Sequence, residues 1–219
     1  MSDGLTPWIA QLLRDPDMLK MGHAQRGEDH NIGLGWLYYG LARLLRPQRI
    51  VVIGSYRGFV PMLFARGLAD NGEGGRVLLI DPSLVDDFWT DPARVTAHFA
   101  GFDLFNIDHL PLTTQQLADA PQWQALGEVG LAMIDGYHSA EQAAIDHAAL
   151  RPKLTPDALV LFHDSIRERV SRIYGDDRPY THTVARYVDV LRRDPAWQVL
   201  DFASGDGLSI VRHIGATDG

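Results

Sequence analysis

With 219 residues, 46% of them hydrophobic and 22% charged, the chain has the size and composition of one large globular domain, or of a domain with a small extension. A formal charge of -8 argues against a nucleic-acid partner, which would call for clustered Lys and Arg, and Arg192-Arg193 reads as solvated helix surface. The absence of cysteine excludes disulfides, thiolate zinc sites and a cysteine nucleophile, and the lack of a bilayer-length apolar run or a signal-like N-terminus leads us to expect a soluble cytoplasmic protein with no membrane partner.

Thr6-Pro7 reads as an N-cap and first-turn proline, followed by Ile9, Leu12 and Leu13 at helical spacing. Met21 to Asn31, with His23, Gln25, Glu28, Asp29 and His30, reads as a polar loop that either closes over a ligand or, as the plainer reading, leaves its histidines in solvent. Asn31 is placed to cap a helix carrying the stripe Leu34, Leu37, Leu41, Leu44 and Leu45, which ends before Pro47. Residues 1–46 therefore form a helical extension, and 47–219 the main domain. Within that domain, strands are predicted at Arg49 to Ile53, Val77 to Ile80, Ile107 to Leu112, Leu131 to Ile134 and Leu159 to Phe162. Helices are predicted at Phe59 to Leu68, Ala93 to Phe99, within Thr114 to Leu126, and at Ala140 to Leu150. Such alternation predicts an α/β fold with a parallel sheet and helices on both faces. Arg167 to His182 reads as a long mixed loop, either covering a substrate site or lying on the surface, and Thr181 to Arg193 as a helix. Trp197 to Ala203 and Leu208 to His213, joined by Ser204-Gly205-Asp206-Gly207, predict a closing β-hairpin.

Two predicted strands end abruptly in acids and imidazoles: Ile134-Asp135-Gly136-Tyr137-His138 and Phe162-His163-Asp164-Ser165. Ligands of open α/β sheets bind beyond the carboxyl ends of the strands, so Asp135, His138, His163 and Asp164 are expected around one cleft. The first strand ends in Gly54-Ser55-Tyr56-Arg57-Gly58, where glycines permit a sharp turn and close approach to a ligand. The second ends in Asp81, a carboxylate able to accept from both hydroxyls of a ribose. Duller roles exist for each: turn chemistry for the glycines, capping for Asp81, Asp135 and Asp164, a structural imidazole for His163, a surface loop position for His138.

Taken together, these segments resemble a class I S-adenosylmethionine-dependent methyltransferase, in the branch of metal-dependent macrolide-sugar O-methyltransferases and cephalosporin-hydroxylase-like proteins. The resemblance covers about residues 47 to 214. It implies a Rossmann-like seven-stranded, mostly parallel sheet with a C-terminal antiparallel hairpin. It further implies that Gly54, Ser55 and Gly58 pack against the methionine part of the cofactor S-adenosylmethionine, that Asp81 holds its ribose and that Asp135 borders both cofactor and metal. Asp135, His163 and Asp164 become candidate metal ligands and His138 a candidate general base. Two carboxylates suit Mg²⁺, while the His163 imidazole tilts the choice toward Mn²⁺, Fe²⁺ or Zn²⁺ unless it stands back from the ion. The implied reaction is O-methylation of a small-molecule acceptor, a sugar or secondary metabolite. The alternatives are a hydroxylase-like metal enzyme of the same fold and a non-catalytic cofactor-binding module. Two positions depart from the family pattern: Val52 stands where an acid is common, and Asp157-Ala158 replace the glycines usual before the fifth strand. The helical extension is a candidate lid and a candidate surface for a homo-oligomer.

Overall fold

A computed structural model describes residues 4–20, 22–172 and 175–215, so Met21 and Tyr174 of the two predicted loops lie outside the described residues. Its main sheet contains strands β1 (Arg49–Ile53), β2 (Arg76–Ile80), β3 (Ile107–Leu110), β4 (Val129–Ile134), β5 (Leu154–His163), β8 (Trp197–Phe202) and β9 (Leu208–His213). The strand order is β3-β2-β1-β4-β5-β9-β8, with the first five parallel and β9 antiparallel to both β5 and β8. This is the expected seven-stranded sheet closed by an antiparallel hairpin. Order reverses between β1 and β4, and at such a switch point the strand ends open a crevice.

The apolar runs are continuous because both faces are covered. Val52, Leu79, Met133 and Leu161 belong to one core with Trp8, Leu12, Tyr38, Phe59, Phe64 and Phe99. These come from α1 (Leu5–Leu12), α2 (Gly35–Leu45), α3 (Phe59–Asn71) and α4 (Pro92–Ala100). Val51, Ile80, Ile134 and Phe162 point the other way, into a core with Trp123, Ala143, Leu150, Val188 and Leu191. The second core is capped by α5 (Pro121–Gln124), α6 (Ala140–Leu150) and α7 (Val184–Arg193).

Several local expectations are corrected. Gly4, not Thr6, is the N-cap of α1. Asn31 does not cap α2, whose N-cap is Leu34; its side chain instead accepts from the Gly33 N–H at 2.8 Å. Residues 114–126 form a short 3₁₀ helix (Thr114–Asp119) and one turn of α-helix, separated where Pro121 begins a new turn. The stretch 167–182 is not a plain loop: β6 (Arg169–Ser171) and β7 (Tyr180–His182) pair antiparallel as a second, two-stranded sheet. The predicted helix at Thr181 accordingly begins only at Val184, because Tyr180 and Thr181, residue types that favour strands, pair with β6. Among the described residues no helix is long and apolar enough to cross a membrane.

Candidate active site

The crevice begins with Gly54 at the end of β1. Its φ is +79°, and a Cβ there would lie 2.4 Å from the Asp135 carbonyl oxygen and 2.4 Å from Gly136 Cα. Only glycine lets the first strand's turn pass so close to the fourth strand's end. Asp81 organises the same turn, since its Oδ2 accepts from the Ser55 N–H and its Oδ1 from the Ser83 N–H, both at 2.8 Å. Burial pushes the Asp81 carboxyl up despite these bonds. The Trp89 indole donates to the Ser55 carbonyl at 3.1 Å, and Ser55 Oγ accepts from the Gly58 N–H at 3.1 Å. Val52 is fully buried between Leu79 and Met133 in register, so Asp81 and Trp89 carry out the loop anchoring.

A cavity of about 500 Å³ runs from this turn across the strand ends. Gly54, Ser55, Asp81 and Asp135 line it; Gly58, at the N-terminus of α3, is not among its lining residues. Ile80, Pro82, Leu112 and Leu84 give it apolar walls, and Thr114, Gln142 and Asp146 a polar far end. Asp146 on α6 is buried, with one oxygen accepting from Thr114 Oγ1 at 2.6 Å and Gln142 Nε2 at 2.7 Å. Burial, opposed by those two bonds, pushes its carboxyl up.

A second cavity of about 420 Å³ adjoins the first; Ser55, Tyr56, Val85, Asp135, His138 and His182 line both. At its floor the structure gathers all four strand-end residues. His163 Nδ1 lies 2.9 Å from Asp135 Oδ1 and 3.5 Å from Asp164 Oδ1. The His138 imidazole is 3.8 Å from Asp135 Oδ1 and 3.6 Å from Asp164 Oδ2. Ser139 caps α6 by accepting from the Gln142 N–H, which leaves Asp135 to the cluster. Asp164 is no turn cap either: its Oδ2 accepts from Arg169 at 2.7 Å and pairs with His182 Nδ1 at 2.5 Å. His138 and Asp164 both hold positive φ, +51° and +53°, a conformation side chains resist and one common at working sites. The His138 carbonyl accepts from the Thr183 N–H, and its ring stacks on His182 at 4.3 Å and 8°.

Besides Arg169, two imidazoles enter that the sequence left in solvent or in a loop. His23 is only 2% exposed, because the N-terminal loop folds inward over the strand ends. Its Nε2 lies 3.6 Å from Asp135 Oδ2, and its ring lies 4.2 Å from that of His163. His30, by contrast, is exposed as expected. His182, on β7, fixes Asp164. No sequence spacing links position 23 to 135 or 182 to 164; the only signals were histidines in polar segments flanking the domain's strands.

The electrostatics follow from burial and charge pairing. Burial raises the Asp135 and Asp164 carboxyls, but opposing groups win and hold both below the usual carboxylate range. His163 and His23 act on Asp135; the His182 hydrogen bond and the charge of His163 act on Asp164. Burial also opposes a charge on His163, yet Asp135 and Asp164 outweigh it and raise that imidazole to about 9. Burial takes His138 down to about 4 and His23 to about 3, so both rings are neutral near pH 7. Two sets of donors lie close enough to share an ion: His23, Asp135 and His163, and His138, His163 and Asp164, each set with its ligand atoms within 4.8 Å. Among the described residues Asp164 Oδ1 is buried without a hydrogen bond, and the two His163 ring nitrogens, which face Asp135 Oδ1 at 2.9 Å and the Gly22 backbone, make none of good geometry. Buried polar atoms left this way call for an explanation, and an ion is one.

Comparison with known proteins agrees with this architecture. A family described as "Methyltransferase domain" matches residues 51–165, more than half of the chain. A curated relative, the uncharacterized protein y4gI of Sinorhizobium fredii, is 30% identical over 144 residues, covering 61% of this chain. The match spans only 15% of that longer protein. Among solved structures, the O-methyltransferase TomG of Streptomyces achromogenes in complex with S-adenosylmethionine superposes with a TM-score of 0.62 at 18% identity, covering 98% of this chain and 92% of that one. An O-methyltransferase of Bacillus cereus in complex with S-adenosylhomocysteine gives a TM-score of 0.66 at 14% identity, over 97% and 93% of the two chains.

Proposed function

We propose that this chain, which belongs to the methyltransferase domain family, transfers the methyl group of S-adenosylmethionine to a hydroxyl oxygen of a small molecule, with a divalent cation held in the His/Asp cluster. The observation that carries the reading is the shared wall: the two cavities meet at Asp135 and His138. A donor in one and an acceptor in the other would face each other across that seam, the placement a bimolecular displacement needs.

The larger cavity suits the cofactor. Each Asp81 oxygen accepts one backbone N–H and keeps a lone pair for a ribose hydroxyl. Ile80, Pro82 and Leu112 offer a flat apolar slot for adenine, and the Asp146 oxygen that bonds neither Thr114 nor Gln142 is an acceptor for the exocyclic amine. The smaller cavity suits the acceptor. Its volume falls in the range for small ligands, and Lys20, Arg169, Ser171 and Asp206 give it the polarity a sugar or other polyhydroxylated metabolite requires.

Asp135, His163 and Asp164 fit a divalent ion by donor type: His163 belongs to both close donor sets, Asp135 to one and Asp164 to the other, and His163 and Asp164 carry buried atoms without a hydrogen bond of good geometry. Such an ion, when bound, would orient the acceptor hydroxyl and lower its pKa. His138, neutral near pH 7 and lining both cavities, is positioned to take the hydroxyl proton. The acceptor oxygen then bonds the methyl carbon as the carbon–sulfur bond breaks, leaving S-adenosylhomocysteine.

Calorimetric titration with S-adenosylhomocysteine tests the donor half; absence of binding would refute the reading. With an acceptor drawn from a panel of sugars and phenols, His138→Ala should lower turnover at saturating substrate by roughly 10²–10⁴-fold. Unchanged turnover would remove His138 as the base.

A further inference from the structure

His23 is held in place by a loop built for the purpose. Gly33 has φ +55°, and a Cβ there would meet the His23 carbonyl oxygen at 2.1 Å, so the loop can fold back on itself only with glycine at this point. The Leu34 N–H donates to that same carbonyl at 2.8 Å, and Arg26 and Asn31 form an antiparallel bridge. The Gln25 side chain accepts from the His23 N–H at 2.9 Å and donates to the Met18 carbonyl at 2.9 Å. The imidazole itself stacks on Phe59 at 5.3 Å and 14°, and its Nδ1 lies 3.0 Å from the Tyr38 hydroxyl.

Such fixation is hard to explain as packing alone, because the other nitrogen is aimed at a carboxylate it does not bond. At 3.6 Å, Nε2 and Asp135 Oδ2 are too far apart for a hydrogen bond. Two donors each about 2.1 Å from one tetrahedral ion would stand roughly 3.4 Å apart. The contact to Tyr38 supplies what metal-binding histidines commonly have, a partner on the second nitrogen that sets the tautomer. His163, only 2% exposed, and Asp135 complete the set, whose ligand atoms all lie within 4.8 Å.

We propose that His23 is a metal ligand, forming with His163 and Asp135 a two-imidazole, one-carboxylate site that selects Mn²⁺, Fe²⁺, Co²⁺ or Zn²⁺ over Mg²⁺. This rests on the reading of the cluster as a metal centre and deepens it in two ways. Imidazole donors suit first-row transition ions, whereas Mg²⁺ seeks oxygen. The ion also ties the N-terminal loop to the ends of β4 and β5, so occupancy and closure of the smaller cavity become one event.

The test uses the full chain stripped with a chelator. Calorimetry with Mn²⁺, Zn²⁺ and Mg²⁺, and visible absorption with Co²⁺, are run on the parent, His23→Ala, His23→Gln and Asp135→Asn, with circular dichroism to verify folding. The parent should bind Mn²⁺ and Zn²⁺ well over tenfold more tightly than Mg²⁺. Both His23 variants should lose about 10–100-fold in Co²⁺ and Zn²⁺ affinity and change the Co²⁺ spectrum. Hydrogen exchange should show residues 22–34 protected by Zn²⁺ in the parent and unprotected in whichever His23 variant folds. Equal affinity and an equal spectrum in parent and variants would overturn the role of His23 while leaving the metal centre standing. A parent that prefers Mg²⁺ overturns the ion class. Binding of no ion by the parent, matching Asp135→Asn, removes the metal centre itself.

Discussion

Replacing Gly54 by alanine puts the crossing of the first and fourth strand ends under test. Two costs add. The left-handed φ of +79° costs a side chain about 1–2 kcal/mol. The new methyl also stands 2.4 Å from the Asp135 oxygen and 2.4 Å from Gly136 Cα, both backbone atoms that no rotamer change can move. Relief requires β1 and β4 to part, for which an overpacking cost of about 1–3 kcal/mol is appropriate. Gly72→Ala is the internal control: its φ is +72°, yet nothing lies within 4 Å of the new Cβ, so only the first cost applies. At about 2–4 °C per kcal/mol for a chain of this size, Gly72→Ala should lower Tm by roughly 2–8 °C and Gly54→Ala by roughly 4–20 °C. Differential scanning calorimetry of both variants measures the gap, and titration with S-adenosylhomocysteine should show weakened binding only for Gly54→Ala. Equal melting temperatures in the two variants would refute the crowding argument.

Asp81→Ala should lower affinity for S-adenosylhomocysteine at least tenfold, equivalent to about 1.4 kcal/mol, because the ribose acceptor and the anchor of the Ser55 turn vanish together; calorimetric binding equal to the parent's would contradict this. Asp146→Asn should stabilise the protein near neutral pH. With its folded pKa raised by burial, Asp146 favours folding fully below its unfolded value of 3.8, and that contribution is lost as pH rises through the folded pKa. The stability of Asp146→Asn relative to the parent should therefore grow across that window and then level off, and a gap constant from pH 3 to 7 in thermal melts would be inconsistent with it. Asp164→Ala leaves His182 and Arg169 without their common acceptor, and Arg169 retains Asp206 at 3.1 Å. A loss near the low end of the range for broken buried pairs, about 3 kcal/mol, is expected; an unchanged melt would argue against it.

The sheet was legible because a strand covered on both faces must be apolar throughout, and Ile50 to Ile53, Leu131 to Ile134 and Val160 to Phe162 have no other stable place in water. The polar residues that interrupt those runs were legible for the same reason: Asp135, His163 and Asp164 follow directly on buried positions, so the strand itself carries them to the crevice. His138 was within reach of the same reasoning, three residues further on. His23, His182 and Arg169 were not. Each reaches the cluster through a loop or a three-residue strand, where direction is decided by distant contacts: Gly33 against residue 23, β6 against β7, Asp164 against both. Short mixed segments carry no period from which such contacts can be read. Asp146 was hidden differently, as one acid within a helix whose inward face shows only beside Thr114.

The turn between β8 and β9 touches the N-terminal loop: a Cβ on Gly205 would meet the Gly22 oxygen at 2.7 Å, and Asp206 pairs with Arg169 beside Asp164. Segments far apart in the chain thus close around one cluster. During synthesis at about 5–20 residues per second, His23 is made roughly 10–40 s before Asp206. Through that interval the nascent chain can pair β1 to β4 while its pocket stays open on one side. Assembly on the ribosome is therefore expected to finish at the site rather than start there.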